Sequence, residues 1–575
     1  MNIINKILLS GSLVFLLGSC SDFFELERPT TMPINTLEDL EMAAVSPYQS
    51  LFHGGWGALY SNNLLQQVLQ NDNFDFLGNN EDYPTEDIYQ RRYNQRIPQI
   101  DELYGKLYNT IGLCNSGLYF YDNSNGNPLP YESEEDYEKN ILRIKGELYF
   151  NRAFAYYNLA QIFCPPYGYG KDNEAILVKR VKMVESSDEA LNNAPSPTIE
   201  IYDIIIEDLK KAIDLLPEQY ENGMHRSYQS RGRANKWAAK ALLAQVYFTM
   251  KNFTDALPLY NDIIENSGYD LEDNPFTNFN NSSVSPLRSE NKEVIMWIYY
   301  GDEDLSKANN RHDALRLCHY NKCHASAVNG GNGPETDGRN PSWSFHDWVQ
   351  MCLSHSSLKK MNWMDDNMKE TEEALFDLRY YNQPASAGQH INQEGLFYRF
   401  EGVDPEWKGT ATRKGASSDG KYITFGKYML YSGRPVILVN KFFRTTSGRL
   451  QNQPLIRMGE IYLNRAAARL ATNTPGYEDD FNKVASRAWN EEAAGKPYTN
   501  KTAGEITQET IRIERWKELA GEDSWYTRYC AALGLPISQG ERNSGNEYLI
   551  IDQNNYADAY WKECIPLGGE LDFRQ

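Results

Sequence analysis

After residue 20 the chain contains no apolar run long enough to cross a bilayer as a helix, which takes about 20 residues. Positive charge is also scarce. Lys and Arg number 57 against 78 Asp and Glu, a formal net charge of −21. Binding to nucleic acid requires a basic face that neutralises phosphates, so this balance argues against any such partner. Catalytic signatures are missing too: there is no H-E-x-x-H, no G-x-S-x-G and no glycine-rich phosphate loop. Nothing implies a cofactor. Cysteine is sparse, 8 in 575 residues and widely spaced. Setting Cys20 aside leaves an odd number, a poor disulfide framework that predicts at least one free, buried thiol. What the chain has in quantity is aromatic surface: 13% of residues, with 39 Tyr, side chains suited to wet binding faces.

The N-terminus reads as a targeting segment. Lys6 supplies the positive flank, Ile7 to Leu17 is a short apolar run, and Leu17-Gly18-Ser19-Cys20 follows. That sequence resembles a bacterial lipobox, which makes residues 1–19 a signal peptide and Cys20 the lipidation site. Asp22, Glu25 and Glu27 resemble the surface-export signals of some Gram-negative lipoproteins. The expectation is a protein anchored to a membrane and not spanning it.

The strongest local pattern is Ile141 to Phe163. Ile141, Ile144, Leu148, Ala155, Leu159 and Ile162 recur at three- and four-residue spacing, and Tyr149, Ala153, Tyr156, Ala160 and Phe163 form a second stripe beside them. An apolar arc that wide predicts a core helix, stopped by Pro165 and Pro166. Further on, Leu243, Ala244, Tyr247, Phe253, Ala256 and Tyr260 fit the small and aromatic positions of a tetratricopeptide (TPR) hairpin. Ala153 and Tyr156 fit the first helix of an earlier unit, and Leu209, Ala212 and Pro217 its second. Helix is expected over much of 34–70, from Asp101, at Leu455 to Ala471 and at Ile511 to Tyr529. Asp72 to Arg96 reads as a long loop, a length often kept for function. From Gly268 to Gln453 the helical pattern breaks down into loops rich in Asn, Ser, Gly, Trp and Tyr.

Two of these helices carry a family resemblance. LIRMGEIYLNRAAARLA at 455–471 and IRIERWKELAGED at 511–523 resemble paired motifs of the SusD/RagB family of outer-membrane nutrient-binding lipoproteins. GELYFNRAFAYYNLAQIF resembles that family's Arg-Ala-Phe core helix, and NKEVIMWIYY at 291–300 its strand after the repeats. Ala520-Gly521-Glu522-Asp523 departs from the usual aromatic-Glu-Gly run, and the tail lacks a Gln-Asn-Pro-Gly-Tyr ending.

The resemblance implies a mainly α, SusD-like fold of about four TPR-like units. Residues 20–575 would form a single domain: a TPR scaffold over about 35–265, C-terminal helices at 455–471 and 511–529, and a loop-rich ligand-binding insertion over about 268–453. It also implies a non-enzymatic protein, lipid-anchored at the outer membrane and facing outwards. That protein would capture oligosaccharides or polysaccharides for a SusC-like TonB-dependent transporter. Some branches take peptides instead, and a surface glycoside hydrolase is a further class, disfavoured by the lack of an acid pair in one cleft.

Sugar rings stack their C–H faces on aromatic side chains, so exposed Trp and Tyr are the candidate ligand-binding residues. Trp343, in NPSWSFHDW, follows a Gly/Asn/Pro loop and is the first choice, with Trp348 and Trp363 nearby. Tyr83 and Asp72, on the early loop, could face it. Trp237 and Trp516 lie on predicted helices and read as core. The carboxylates and arginines of the two C-terminal motifs (Arg457, Glu460, Glu514, Arg515, Glu518) read as scaffold salt bridges at helical spacing. Within His312 to His324, Cys318, His319, Cys323 and His324 lack the spacing of a zinc or haem motif, so no metal is expected and the thiols read as free before disulfide-bonded.

Overall fold

The computed structural model describes residues 34–52, 70–71, 73–76, 85–191, 193–220, 232–275, 277–280, 291–298, 351–367, 369–380, 396–400, 414–416, 422–425, 428–431, 436–439, 441, 453–537 and 551–566. Its frame is a series of helical hairpins. Helices α1 (Leu37–Phe52) and α2 (Pro98–Asp122) pair first, then α3 (Leu142–Phe163) with α4 (Thr198–Leu215), α5 (Lys236–Thr249) with α6 (Phe253–Asn266), and α7 (Met458–Ala471) with α8 (Tyr477–Arg487). Each hairpin packs on the next, α2 against α3, α4 against α5 and α6 against α7. This is the nearest-neighbour stacking of a TPR solenoid. Helices α9 (Gln508–Leu519) and α10 (Tyr526–Leu533) close its end against α7 and α5.

The core helix is as central as its pattern predicts. Of the 22 residues of α3, 19 are buried, polar ones included. Its backbone turns extended at Cys164, ahead of the two prolines that cannot continue it. Glycines set how closely its neighbours approach. A Cβ on Gly146 would lie 3.0 Å from Leu215 Cβ, and one on Gly117 of α2 would lie 2.7 Å from Leu148 Cδ1. The TPR positions Ala244, Ala256 and Tyr260 are fully buried between α5 and α6.

Buried charges tie the units together. Arg143 of α3 bonds Glu41 of α1 (2.6 Å) and Glu147 one turn on, while Arg233, just ahead of α5, bonds the same two carboxylates. Two arginines and two glutamates thus form a closed ring of alternating sign across three hairpins. Removing one member would strand its partners in a low-dielectric interior. Arg152 grips Asp208 of α4 with two bonds of 2.7 Å. Arg528 of α10 donates to the carbonyls of Gln161 (3.0 Å) and Cys164 (2.7 Å), capping the C-terminus of α3.

Among the described residues, the segment between α6 and α7 holds short strands and short helices. Val294–Ile298 (β4) pairs antiparallel with Gln453–Arg457 (β11), and Phe397–Phe400 (β6) with Val436–Val439 (β10). Lys414–Ala416, Tyr422–Phe425 and Tyr428–Tyr431 (β7, β8, β9) form a three-stranded sheet. Earlier in the chain, Ala175–Val178 (β2) pairs with Pro195–Pro197 (β3). Most important for the site, Phe74–Phe76 (β1) pairs antiparallel with Met351–Leu353 (β5).

Three sequence expectations are corrected. Leu455 to Arg457 is strand, because β4 supplies its hydrogen bonds, and the helix begins at Met458. Ile511 to Tyr529 is two helices, parted at Gly521, whose φ of +79° glycine adopts freely. Asp72 to Arg96 contains β1 and a short helix, Thr85–Tyr89, and is not simply a loop. The expected strand at 291–300 is present as β4.

Candidate functional site

The β1–β5 ladder is where the predicted ligand loops meet the frame. Its register is Phe74↔Leu353, Asp75↔Cys352 and Phe76↔Met351. Because the strands are antiparallel, the chain leaves β1 toward Tyr83 at the same end at which it arrives at β5 from Trp343 and Trp348. The ladder is fixed from below. Ser354 N donates to Asn73 O (2.7 Å), the Ser357 hydroxyl donates to the same carbonyl (3.0 Å), and Tyr89 donates to Asp75 (3.3 Å). Burial, reinforced by the charge of Asp75, pushes the Cys352 thiol well up, so it is a packed thiol and no nucleophile.

Tyr83, Asp72, Trp343 and Trp348 lie outside the described residues, as do Cys20, Cys318, Cys323 and the histidines beside them. The residues flanking Asp72, Asn71 and Asn73, are buried at the far end of the ladder, roughly 10 Å away at strand rise. Trp363 is a correction. Its indole is fully buried, its Nε1 donates to Asp377 (3.2 Å), and its ring packs 5.1 Å from those of both Tyr380 and Phe397. No face is left for a sugar, so Trp363 is core. Trp237 and Trp516 are core as expected.

The carboxylates of the C-terminal motifs are engaged in ion pairs, with partners mostly from other elements. Glu518 meets Arg457 (2.5 Å), Arg379 (3.0 Å) and Arg487. Glu514 meets Arg379 (2.7 Å), and Glu460 meets Arg515 (3.0 Å). Burial pushes Glu518 up, but Arg487, Arg457 and Arg379 outweigh it and hold its carboxyl well below the usual range. Asp377 is likewise held low by Arg379 against the effect of its own burial. A general acid needs a raised pKa and access to substrate. Glu518 has neither. The cysteines Cys114, Cys164, Cys352, Cys530 and Cys564 are free and buried, which meets the expectation of buried thiols. Among the described residues no helix is long and apolar enough to cross a membrane.

A second feature went unnoticed in the sequence. A cleft of about 290 Å³ opens between residues 360–379 and helices α8 and α9, lined by Asn362, Glu373, Trp489, Tyr498, Glu514 and Lys517 among others. Its residues come from four separate stretches with no shared period, so nothing local could have grouped them.

Helical hairpins in series, interrupted by a segment with short strands that ends at β11, define a helical-repeat scaffold class. The SusD-like_3 family, described as starch-binding associating with outer membrane, matches residues 47–248, and the SusD family model matches 292–529. The chain belongs to the SusD family. Solved structures share its fold. A SusD superfamily protein from Bacteroides thetaiotaomicron is 19% identical, with 92% of this chain and 97% of that one covered at a TM-score of 0.62. A SusD-like carbohydrate binding protein from Bacteroides vulgatus is 16% identical, with 88% and 84% covered at a TM-score of 0.56. A SusD-like protein from Bacteroides ovatus is 30% identical over 135 residues, a match that spans 21% of this chain and 21% of that relative.

Proposed function

We propose that this protein is a surface lipoprotein that binds oligosaccharide or polysaccharide chains and passes them to a SusC-like TonB-dependent transporter. Cys20 is its lipid anchor at the outer membrane, and it performs no chemistry on its cargo. The observation that carries the reading is the β1–β5 ladder, which brings the chain toward Tyr83 and the chain from Trp343 and Trp348 to one end of a buried, well-fixed strand pair. Ligand loops positioned by a rigid scaffold are the usual arrangement for binding proteins. Family membership agrees, as does the ion pairing of Glu460, Glu514 and Glu518, which leaves them no catalytic part.

A binder that must release its cargo to a transporter needs modest affinity, with dissociation constants of about 1 μM to 1 mM, or roughly −8 to −4 kcal/mol. With so little binding energy, one or two stacked rings dominate it. Trp343 is the first candidate for these, with Trp348, Tyr83 and Asp72 as the further candidates. Trp343→Ala therefore weakens oligosaccharide binding at least about tenfold, one large hot-spot contribution, and leaves the melting temperature unchanged. Unchanged affinity removes Trp343 from the site. Binding of peptides and of no glycan overturns the carbohydrate reading.

A further inference from the structure

The cleft between residues 360–379 and α8/α9 has the make-up of a binding site. Its walls are set by backbone bonds. Leu378 N donates to Ala488 O (2.7 Å) and Asn490 N to Phe376 O (2.7 Å), with Asp377 and Trp489 forming a bridge between them. The Trp489 indole donates to Lys496 O (3.0 Å), and its ring stands between Phe376 at 5.5 Å and Tyr498 at 5.9 Å. Across from it, the Asn482 amide makes two 2.8 Å bonds with the backbone of Lys501 and pins the loop that carries Tyr498. The aromatic wall is therefore formed before any ligand arrives, which lowers the entropy cost of binding.

The polar groups narrow the ligand class. In the floor, Arg379 pairs with Glu514 (2.7 Å) and with Asp377 (2.9 Å). At the rim, Lys517 pairs with Glu373 (3.0 Å), and Asn362 donates to the same carboxylate (2.5 Å). These charges are matched within the protein, which leaves Lys360 and the exposed Lys501 as the further charges of the lining. The Tyr498 hydroxyl, by contrast, has no hydrogen-bond partner among the described residues although its ring is half-buried. Burial, with the nearby Glu514 charge, raises it further above the ordinary phenol range, so it stays a donor. A half-buried indole, an unpartnered phenol and paired polar groups suit a neutral, hydroxyl-rich ring with an apolar face. The volume, about 290 Å³, is at the small end of ligand sites, which run from about 300 to 1,000 Å³.

Position adds the last element. The helix His355–Lys360 begins at the far end of the β1–β5 ladder, where Ser354 is bonded to Asn73, and ends at the cleft rim beside Asn362. Six residues of helix span roughly 9 Å and the ladder roughly 10 Å more, a separation that a chain of several sugar units can bridge. We propose that this cleft is a second carbohydrate subsite, taking one or two neutral sugar units of a chain whose other part binds the loops at the ladder. Trp489 supplies the stacking surface and Tyr498 donates to a ring hydroxyl. The proposal rests on the carbohydrate reading above. Two linked sites on one chain favour long ligands over short ones.

The test is affinity electrophoresis of the wild-type protein and of Tyr498→Phe and Trp489→Ala through gels holding soluble starch, xylan, galactomannan, β-glucan or levan. Wild type is retarded by at least one of these. Tyr498→Phe, which keeps the ring and loses only the hydroxyl, weakens that retention about three- to tenfold, the worth of one hydrogen bond. Trp489→Ala weakens it further, with its melting temperature measured alongside. Retention by Tyr498→Phe and by a folded Trp489→Ala equal to wild type overturns the subsite and leaves the carbohydrate reading standing. A wild-type protein retarded by none of the five polymers overturns the subsite and the carbohydrate reading together.

Discussion

Replacing Glu518 with Gln removes one negative charge from a point where three arginines converge. Arg457 approaches at 2.5 Å, Arg379 at 3.0 Å, and Arg487 completes the set. The carboxylate is 2% exposed, so solvent cannot take its place. Losing one partner of a buried ion pair costs roughly 3–5 kcal/mol, because the charges left behind stay desolvated. Glu293 and Glu522 also contact Arg457, which puts the expected cost at the lower end, about 3 kcal/mol. Urea unfolding at pH 7, followed by circular dichroism, reads this as a lower midpoint at unchanged slope. The pH dependence is the sharper check. Glu518 has its folded pKa held well below the unfolded value of about 4.3. Its stabilising contribution is therefore complete above that unfolded value and is lost as pH falls through the folded one. Gln has no proton to gain, so the gap between wild type and variant narrows from pH 5 downwards. A gap under about 1 kcal/mol at pH 7, the scale of an exposed pair, or a gap of equal size at pH 7 and pH 3, would refute the reasoning.

Three further outcomes are expected. Ala244→Leu forces a larger side chain between α5 and α6, costs about 1–3 kcal/mol and lowers the melting temperature, whereas the same change at the exposed Glu492 leaves it in place. Arg528→Met strips the donors from the carbonyls ending α3 and lowers stability by about 2–3 kcal/mol in urea titration, since unsatisfied buried acceptors cost that much. Cys20→Ala abolishes incorporation of labelled palmitate and releases the protein from the membrane fraction. Palmitate uptake by the variant, or none by wild type, contradicts the anchor.

Local periodicity made the scaffold legible. The double stripe of α3 and the Ala/Tyr spacing of α5 and α6 follow directly from 3.6 residues per turn. Where pairing is non-local, that signal failed. Leu455 to Arg457 looks like the first turn of a helix, yet β4 lies more than 150 residues back and takes its hydrogen bonds, a contact invisible to any short window. Trp363 lies outside any periodic apolar pattern and reads as exposed, but Tyr380, Phe397 and the buried Asp377 close over it from further along the chain. The break at Gly521 was hidden because apolar spacing continues on both sides of it. Trp489 and Tyr498 carry no periodic signal at all. Their cleft exists only because Asp377 bridges to Trp489 across more than a hundred residues.

Titration calorimetry of the purified protein with neutral oligosaccharides of increasing length tests the central claim most directly. The account predicts saturable binding of at least one glycan series at about 1 μM to 1 mM, stronger for longer chains and lost at least about tenfold in Trp343→Ala. Heats of dilution alone across every glycan, with a peptide library binding instead, would contradict it.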